Sequence, residues 1–355
     1  MRHLELFAGI GGFRRAIDLV CHDFGMPSKC VGFSEIDTKA HQTYCINYQT
    51  SEEVDMGDIV AFTSDVEKIQ SLPDFDLLTA GFPCQTFSMM GEQAGFQEER
   101  GQMFFRIMDI IKVKTPKYVL LENVKNLINH DKGNTIKRIV SELISAGYTV
   151  HLDVFNTNDF GLPQTRNRTL IFAKRNVKNG FKFSKELVKQ SFSRIIRDEC
   201  SLYFYDSTID ILDKEVDQRY YLSEKIKPTI LRDGTAGFKS NSEIDKIIAR
   251  PLTASMHKMH RACQDNYFSD IYINSNGEQR PSTWMTKEEL AKIAIRKLTP
   301  EEAFKLQGFP AEFARNSRFG GVANGSLYKQ AGNAVSVNTI YAVLHYLLIN
   351  RIFEV

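Results

Sequence analysis

Short apolar runs alternate with amphipathic stretches from residue 1 to about 174, the pattern of a parallel sheet flanked by helices. Residues 3–7, 29–34, 75–80, 118–121, 150–155 and 169–173 are each predicted to form a strand. Ile136, Ile139, Val140, Leu143 and Ile144 recur at the spacing of one helical face, which Gly147 ends. The same period returns at Ile340, Val343, Leu344, Leu347 and Leu348. The last helix is therefore expected to dock back onto the first sheet and to make that domain discontinuous in sequence.

Between about 175 and 295 the alternation stops. Polar and basic residues dominate, and Gly234, Gly237, Asn241 and Gly277 mark loops, which describes an inserted, loop-rich module. Thr299-Pro300-Glu301-Glu302 then reads as a capping box with proline at the first helical position, and Gly308 with Pro310 ends that helix. The expected organisation is a main domain over 1–175, a smaller domain over 176–295, a hinge over 296–325 and a segment, 326–355, that returns to the main domain. No internal repeat and no low-complexity segment is present.

Composition then excludes several classes. With 355 residues, 43% hydrophobic and 25% charged, the chain has room for one large domain and a smaller one. A net charge of +2 gives no global pull toward nucleic acid, so any basic surface must be local. Two local clusters exist: eight Lys or Arg at 174, 175, 178, 182, 185, 189, 194 and 197, and His257, Lys258, His260 and Arg261. A charge run of this kind is commonly only a solvated face. The six cysteines have neither zinc-ligand spacing nor the density of a disulfide scaffold, which points to a reducing compartment and to no metal. Residues 1–20 carry Arg2, Glu5, Arg14, Arg15 and Asp18, so no signal-peptide core is read there, and no apolar run is expected to span a membrane. The expected location is the cytoplasm.

Candidate chemistry collects at strand ends. Phe7-Ala8-Gly9-Ile10-Gly11-Gly12 follows the first strand and opens a helix, where backbone N–H groups point outward and small residues admit a ligand. Glu35 lies at the end of the second strand, where an acid can accept from both ribose hydroxyls. Asp65, on the third strand–helix unit, is a candidate acceptor for an adenine amino group. Together they suit an adenosyl ligand, and by themselves they leave a nicotinamide cofactor and S-adenosyl-L-methionine equally open. Cys84, in Gly81-Phe82-Pro83-Cys84-Gln85, follows an apolar strand in a tight loop, the address of a nucleophile more than of core packing. Glu122-Asn123-Val124 follows a second strand, and Gln164-Thr165-Arg166-Asn167-Arg168 lies further on.

These motifs, with Arg-Gly-Gln-Met-Phe-Phe at 100–105, Arg-Pro-Leu-Thr at 250–253 and Gln-Ala-Gly-Asn-Ala-Val at 330–335, resemble the ordered motifs of the DNA (cytosine-5)-methyltransferases of bacteria and phages. The resemblance covers nearly the whole chain outside the variable insert. It implies an α/β fold with a Rossmann-like class I methyltransferase sheet flanked by helices and a smaller, loop-rich target-recognition domain. It implies S-adenosyl-L-methionine as cofactor, a specific double-stranded DNA sequence as substrate, and transfer to C5 of a cytosine rotated out of the duplex. The thiolate of Cys84 would add to C6 so that C5 becomes nucleophilic, and Glu122 would hold N3 and the exocyclic amine. Arg168 would bind the base's O2 and Arg166 would approach Cys84. Asn333, Met103 and Phe7 would contact the cofactor, and Ile36 stands where some members have an aromatic beside the adenine. Residues 88–101 read as a lid. The loop 232–238 or the segment 257–264 would read the bases. A monomer acting beside a restriction endonuclease is the expected setting. For the stretch from Cys263 to Arg296, longer than in the smallest members, no role is assigned.

Three alternatives frame this reading. A nicotinamide-dependent oxidoreductase shares the glycine turn and Glu35 but has no use for Cys84 together with Gln-x-Arg-x-Arg. A catalytically dead DNA-binding relative would lack the cysteine or the glutamate, and both are present. An RNA substrate keeps the chemistry, and the large insert favours duplex DNA over it.

Overall fold

The computed structural model describes residues 1–83, 103–176, 180–234, 241–258 and 260–354. By its internal contacts the chain forms two compact units: Met1–Asn156, Asn167–Leu202 and Thr339–Val355 make the first, Thr157–Arg166 and Tyr203–Asn338 the second.

The first unit is built on a seven-stranded sheet: β1 (Arg2–Leu6), β2 (Lys29–Ser34), β3 (Val54–Asp55), β4 (Leu77–Gly81), β5 (Tyr118–Val124), β6 (Tyr148–Asn156) and β7 (Asn167–Arg175). Their spatial order is β3-β2-β1-β4-β5-β7-β6. The six expected strands are all present, and β3 is an addition. It has two residues, neither buried, so it leaves no periodic signal. The sheet is also not wholly parallel: β7 runs antiparallel to both β5 and β6. Between β6 and β7 there is no crossover helix, only the ten-residue connection Thr157–Arg166, and parallel neighbours need a crossover of about a dozen residues or more.

Helices α1 (Gly12–Asp23), α2 (Thr38–Asn47), α3 (Ile59–Thr63), α4 (Val66–Ser71), α5 (Met103–Lys114), α6 (Asn134–Ser145) and α7 (Lys185–Phe192) belong to this unit. Acids start three of them: Asp37, Asp58 and Asp65 each accept backbone N–H groups in the first turn of α2, α3 and α4. Ile139 and Leu143 of α6 and Ile107, Met108 and Ile111 of α5 share one core with Leu4, Leu78, Val119 and Ile171 of the sheet. Gly147, at φ 90°, turns the chain after α6.

The C-terminal helix Val337–Ile349 returns to this unit from Thr339 onward, as its apolar period implies. Ile340, Val343, Leu344 and Leu347 are fully buried, each contributing about 1.5–3 kcal/mol. Beyond it, Phe353 stacks on Tyr118 of β5 at 3.8 Å between ring centroids. Asn324–Ile349 has the length and composition of a membrane span, against expectation, but it breaks between Asn333 and Val337 and most of it is buried in the protein.

Composition places a change of texture at 175/176, whereas the compact units change over at 202/203. The basic segment 182–197 stays with the first unit because α7 packs on β6, Tyr346 Oη donates to Lys182 O at 2.8 Å, and Lys185 N donates to the Asp153 carboxylate at 2.8 Å. Likewise the returning segment begins at 339 and not 326.

The second unit is loop-rich, as its composition implies, with a two-stranded antiparallel ladder, Tyr267–Ser269 against Ile295–Lys297. The stretch from Cys263 to Arg296 supplies this ladder and a small core in which Tyr267, Leu290 and Ile295 meet Leu222, Ile230 and Ile244. The capping box at Thr299 forms as written: Thr299 Oγ1 accepts from Glu302 N, and the Glu302 carboxylate accepts from Thr299 N. The same carboxylate takes both Nη atoms of Arg296, at 2.8 and 2.9 Å, with both side chains fully buried.

Candidate active site

At the carboxy end of β1 the chain makes three left-handed steps, Phe7 at φ 54°, Gly9 at 57° and Gly11 at 80°. The first is taken by a non-glycine, at a cost on the order of 1–3 kcal/mol. The side chains of Ala8 and Ile10 are buried, so this turn presents backbone to a ligand, and a Cβ on Gly9 would meet nothing within 4 Å. Phe7 and Met103, both half-buried, pack on the main core beneath. Gly11 caps α1, and Gly12 is its first residue.

Glu35 closes this turn from the end of β2. Its Oε2 accepts Gly9 N and its Oε1 accepts Asp37 N, both at 2.7 Å. Burial pushes its carboxyl above the ordinary range, and the backbone N–H groups of Asp37, Gly9 and Ile36 work against that shift. A carboxylate has about four acceptor positions, so capacity for a ribose hydroxyl is left. Ile36, the next residue, is 70% exposed, an apolar side chain held in the open beside that carboxylate. Open space over Gly9, a carboxylate beside it and an exposed apolar side chain fit an adenosyl group.

Asp65 does not lie at a strand end. It sits ten residues past β3 as the N-cap of α4, where Oδ1 accepts from Glu67 N and Lys68 N. The acid that follows β3 directly is Asp58, three residues on, and sequence reasoning missed it because β3 itself is too short to read.

The reactive end of the sheet is set by register. Gly81, last residue of β4, pairs with Glu122 on β5, and Val124 pairs with Arg168 on β7. Cys84 comes three residues after Gly81; it and the lid segment 88–101 lie outside the described residues. Glu122 and Arg168 are brought together, with Arg168 Nε 2.8 Å from Glu122 Oε1, both largely buried. Asn123, buried beside them, donates to the Phe82 carbonyl at 2.8 Å and so ties the end of β5 to the chain just before Cys84. Phe82 is itself buried and 6.0 Å from Phe104.

Arg166 is two residues from Arg168 in sequence and belongs to the other unit. It is 2% exposed and donates to three carbonyls: Leu252 at 3.1 Å, Gly332 at 3.0 Å and Ala334 at 2.8 Å. Gln164, fully buried, accepts from Leu252 N and donates to Leu306 O, both at 2.9 Å. Gly332 lies so close to the backbone of Thr253 and Ala254 that a Cβ would stand 2.3–2.5 Å from it. Three motifs separated by up to 170 residues are thus laced into one structure inside the second unit. Sequence carries no local signal for this lacing role; the expected approach of Arg166 to Cys84 falls on a residue outside the described ones. Asn333 is exposed at the C-terminal end of the helix Asn324–Asn333.

A seven-stranded sheet with one reversed strand, a glycine turn after β1, an acid after β2 and a Glu–Arg pair between β5 and β7 define a class I methyltransferase. The sequence model of the C-5 cytosine-specific DNA methylase family matches residues 1–348, and the chain belongs to that family. Similar relatives include the Type II methyltransferase M.HpaII of Haemophilus parainfluenzae, 35% identical over 96% of this chain and 87% of that protein. The Type II methyltransferase M.HaeII of Haemophilus aegyptius is 36% identical over 96% and 90%. In fold, the crystal structure of S. pombe Dnmt2 methyltransferase is similar with a TM-score of 0.74, 22% identity, and cover of 99% of this chain and all of that one. The protein is a DNA cytosine methyltransferase that uses S-adenosyl-L-methionine, which removes the nicotinamide alternative.

Proposed function

We propose that this enzyme methylates C5 of a cytosine rotated out of a specific double-stranded DNA sequence, through a transient bond between Cys84 Sγ and C6. The observation that carries this reading is the Glu122–Arg168 pair, 2.8 Å apart on β5 and β7, with Glu122 paired to Gly81, three residues before Cys84 in sequence. Addition of the thiolate to C6 moves the ring electrons to C5, Glu122 holds N3 and the exocyclic amine, and Arg168 holds O2 against the charge that gathers there. Loss of the C5 proton then restores the double bond and expels the thiolate. Bound S-adenosyl-L-methionine supplies the electrophilic methyl group. Glu35, with the backbone of residues 8–12, holds the ribose, Ile36 packs on the adenine, and Asp58 is the acceptor for its amino group in place of Asp65; Asn333 remains a cofactor contact by resemblance.

The second unit is read as target recognition, with a cytoplasmic monomer acting beside a restriction endonuclease as the setting. The test is a duplex carrying 5-fluorocytosine at the target position. With the methyl donor present it is expected to leave an adduct that survives denaturation, and Cys84→Ser is expected to leave none while still binding S-adenosylhomocysteine. A wild-type protein that methylates cytosine yet never traps the fluorinated base overturns the covalent route.

A further inference from the structure

We propose that Tyr48 is a positioning residue for the methyl donor, acting on the glycine turn from beneath. Its hydroxyl donates to the Gly11 carbonyl at 2.7 Å, and its ring fills the space where a Gly11 Cβ would stand, 2.4 Å from Cε2. Gly11 is the left-handed residue between Ile10 and the first residue of α1, so this contact sets the direction of the backbone that faces the ligand.

Tyr48 is itself held from behind. The Arg14 guanidinium lies 4.4 Å over its ring, pairs with Glu53 at 2.7 Å, and donates to Tyr44 Oη at 3.3 Å. Tyr44 in turn donates to Glu5 on β1 at 3.1 Å and stacks on Phe33 of β2 at 4.4 Å between centroids. The turn is therefore referenced to both β1 and β2 through Tyr48, Arg14 and Tyr44, and Tyr48 is the member that touches it. Hydrophobic burial of Phe13, Ile17 and Val20 holds α1 against the sheet independently of Tyr48. Loss of the ring would leave the helix in place and let the turn relax into the vacated space.

This inference rests on residues 8–12 being the seat of the methyl donor. Tyr48→Ala is expected to raise the Kd for S-adenosylhomocysteine and the KM for the methyl donor tenfold or more, with kcat at saturating donor changed less than threefold. Tyr48→Phe, which keeps the ring and loses the hydroxyl, is expected to fall between the wild type and Tyr48→Ala. Leu143→Ala in α6 is the stability control: it lowers the melting temperature and leaves Kd within twofold. The proposal is overturned if Tyr48→Ala binds within twofold of wild type, or if Leu143→Ala weakens binding as much. A wild type that does not bind S-adenosylhomocysteine would instead remove the assignment of the turn.

Discussion

Replacement of Arg166 by methionine separates the two roles open to this side chain. In the structure its guanidinium is 2% exposed and donates to the carbonyls of Leu252, Gly332 and Ala334 at 2.8–3.1 Å. Methionine keeps most of the apolar stem and removes every donor. Each buried carbonyl left without a partner costs about 1–3 kcal/mol, and the three share one neighbourhood, so the expected loss of unfolding free energy is about 3–5 kcal/mol. The single tryptophan, Trp284, lies in the same unit, so its fluorescence in urea follows the part of the chain that Arg166 laces together. Arg168→Met is the comparison. That side chain is 20% exposed and pairs with Glu122, so its loss leaves one largely buried carboxylate unpaired, at about 1–3 kcal/mol, while methyl transfer falls by orders of magnitude. If Arg166→Met unfolds at the wild-type urea concentration and loses only its rate, Arg166 acts on the reacting groups and the lacing role is wrong.

Gly332→Ala should lose about 1–3 kcal/mol by the same fluorescence reading, since a methyl group would stand 2.3–2.5 Å from backbone that is itself held; an unchanged urea midpoint would contradict the close approach. Glu5 is fully buried, and burial raises its carboxyl from the ordinary 4.5 to about 8. The folded state therefore binds the proton more tightly, and stability present below pH 4.5 is lost as pH rises through 8, by on the order of 5 kcal/mol. Glu5→Gln should flatten that decline between pH 5 and 9 in urea titrations, and an unaltered slope would refute it. Lys182, Lys185 and Lys189 are exposed on the first unit, and changing all three to glutamine should reduce the slope of log K against log salt for DNA binding by up to about 2.7; a slope that does not move makes this cluster a solvated face only.

Local pattern carried most of the sheet and the order of the chemistry. Alternating and helical periods are properties of neighbours in sequence, so six strands, α6, the returning C-terminal helix and the Thr299 capping box were legible without coordinates. Glu35 could be placed for the same reason, because a strand end is a local event and the residue after it inherits the sheet's carboxy edge; β5 runs on past the expected Leu121, so Glu122 lies within the strand and not after it. What sequence could not decide was pairing at a distance. The reversal of β7, the two-residue β3 and hence the choice between Asp58 and Asp65 depend on which strand lies beside which. The division between Arg166 and Arg168 is of the same kind. Two residues apart, they end in different units, one buried on three carbonyls and the other on Glu122, because a buried guanidinium goes wherever unsatisfied acceptors converge, and that convergence exists only once the chain has folded.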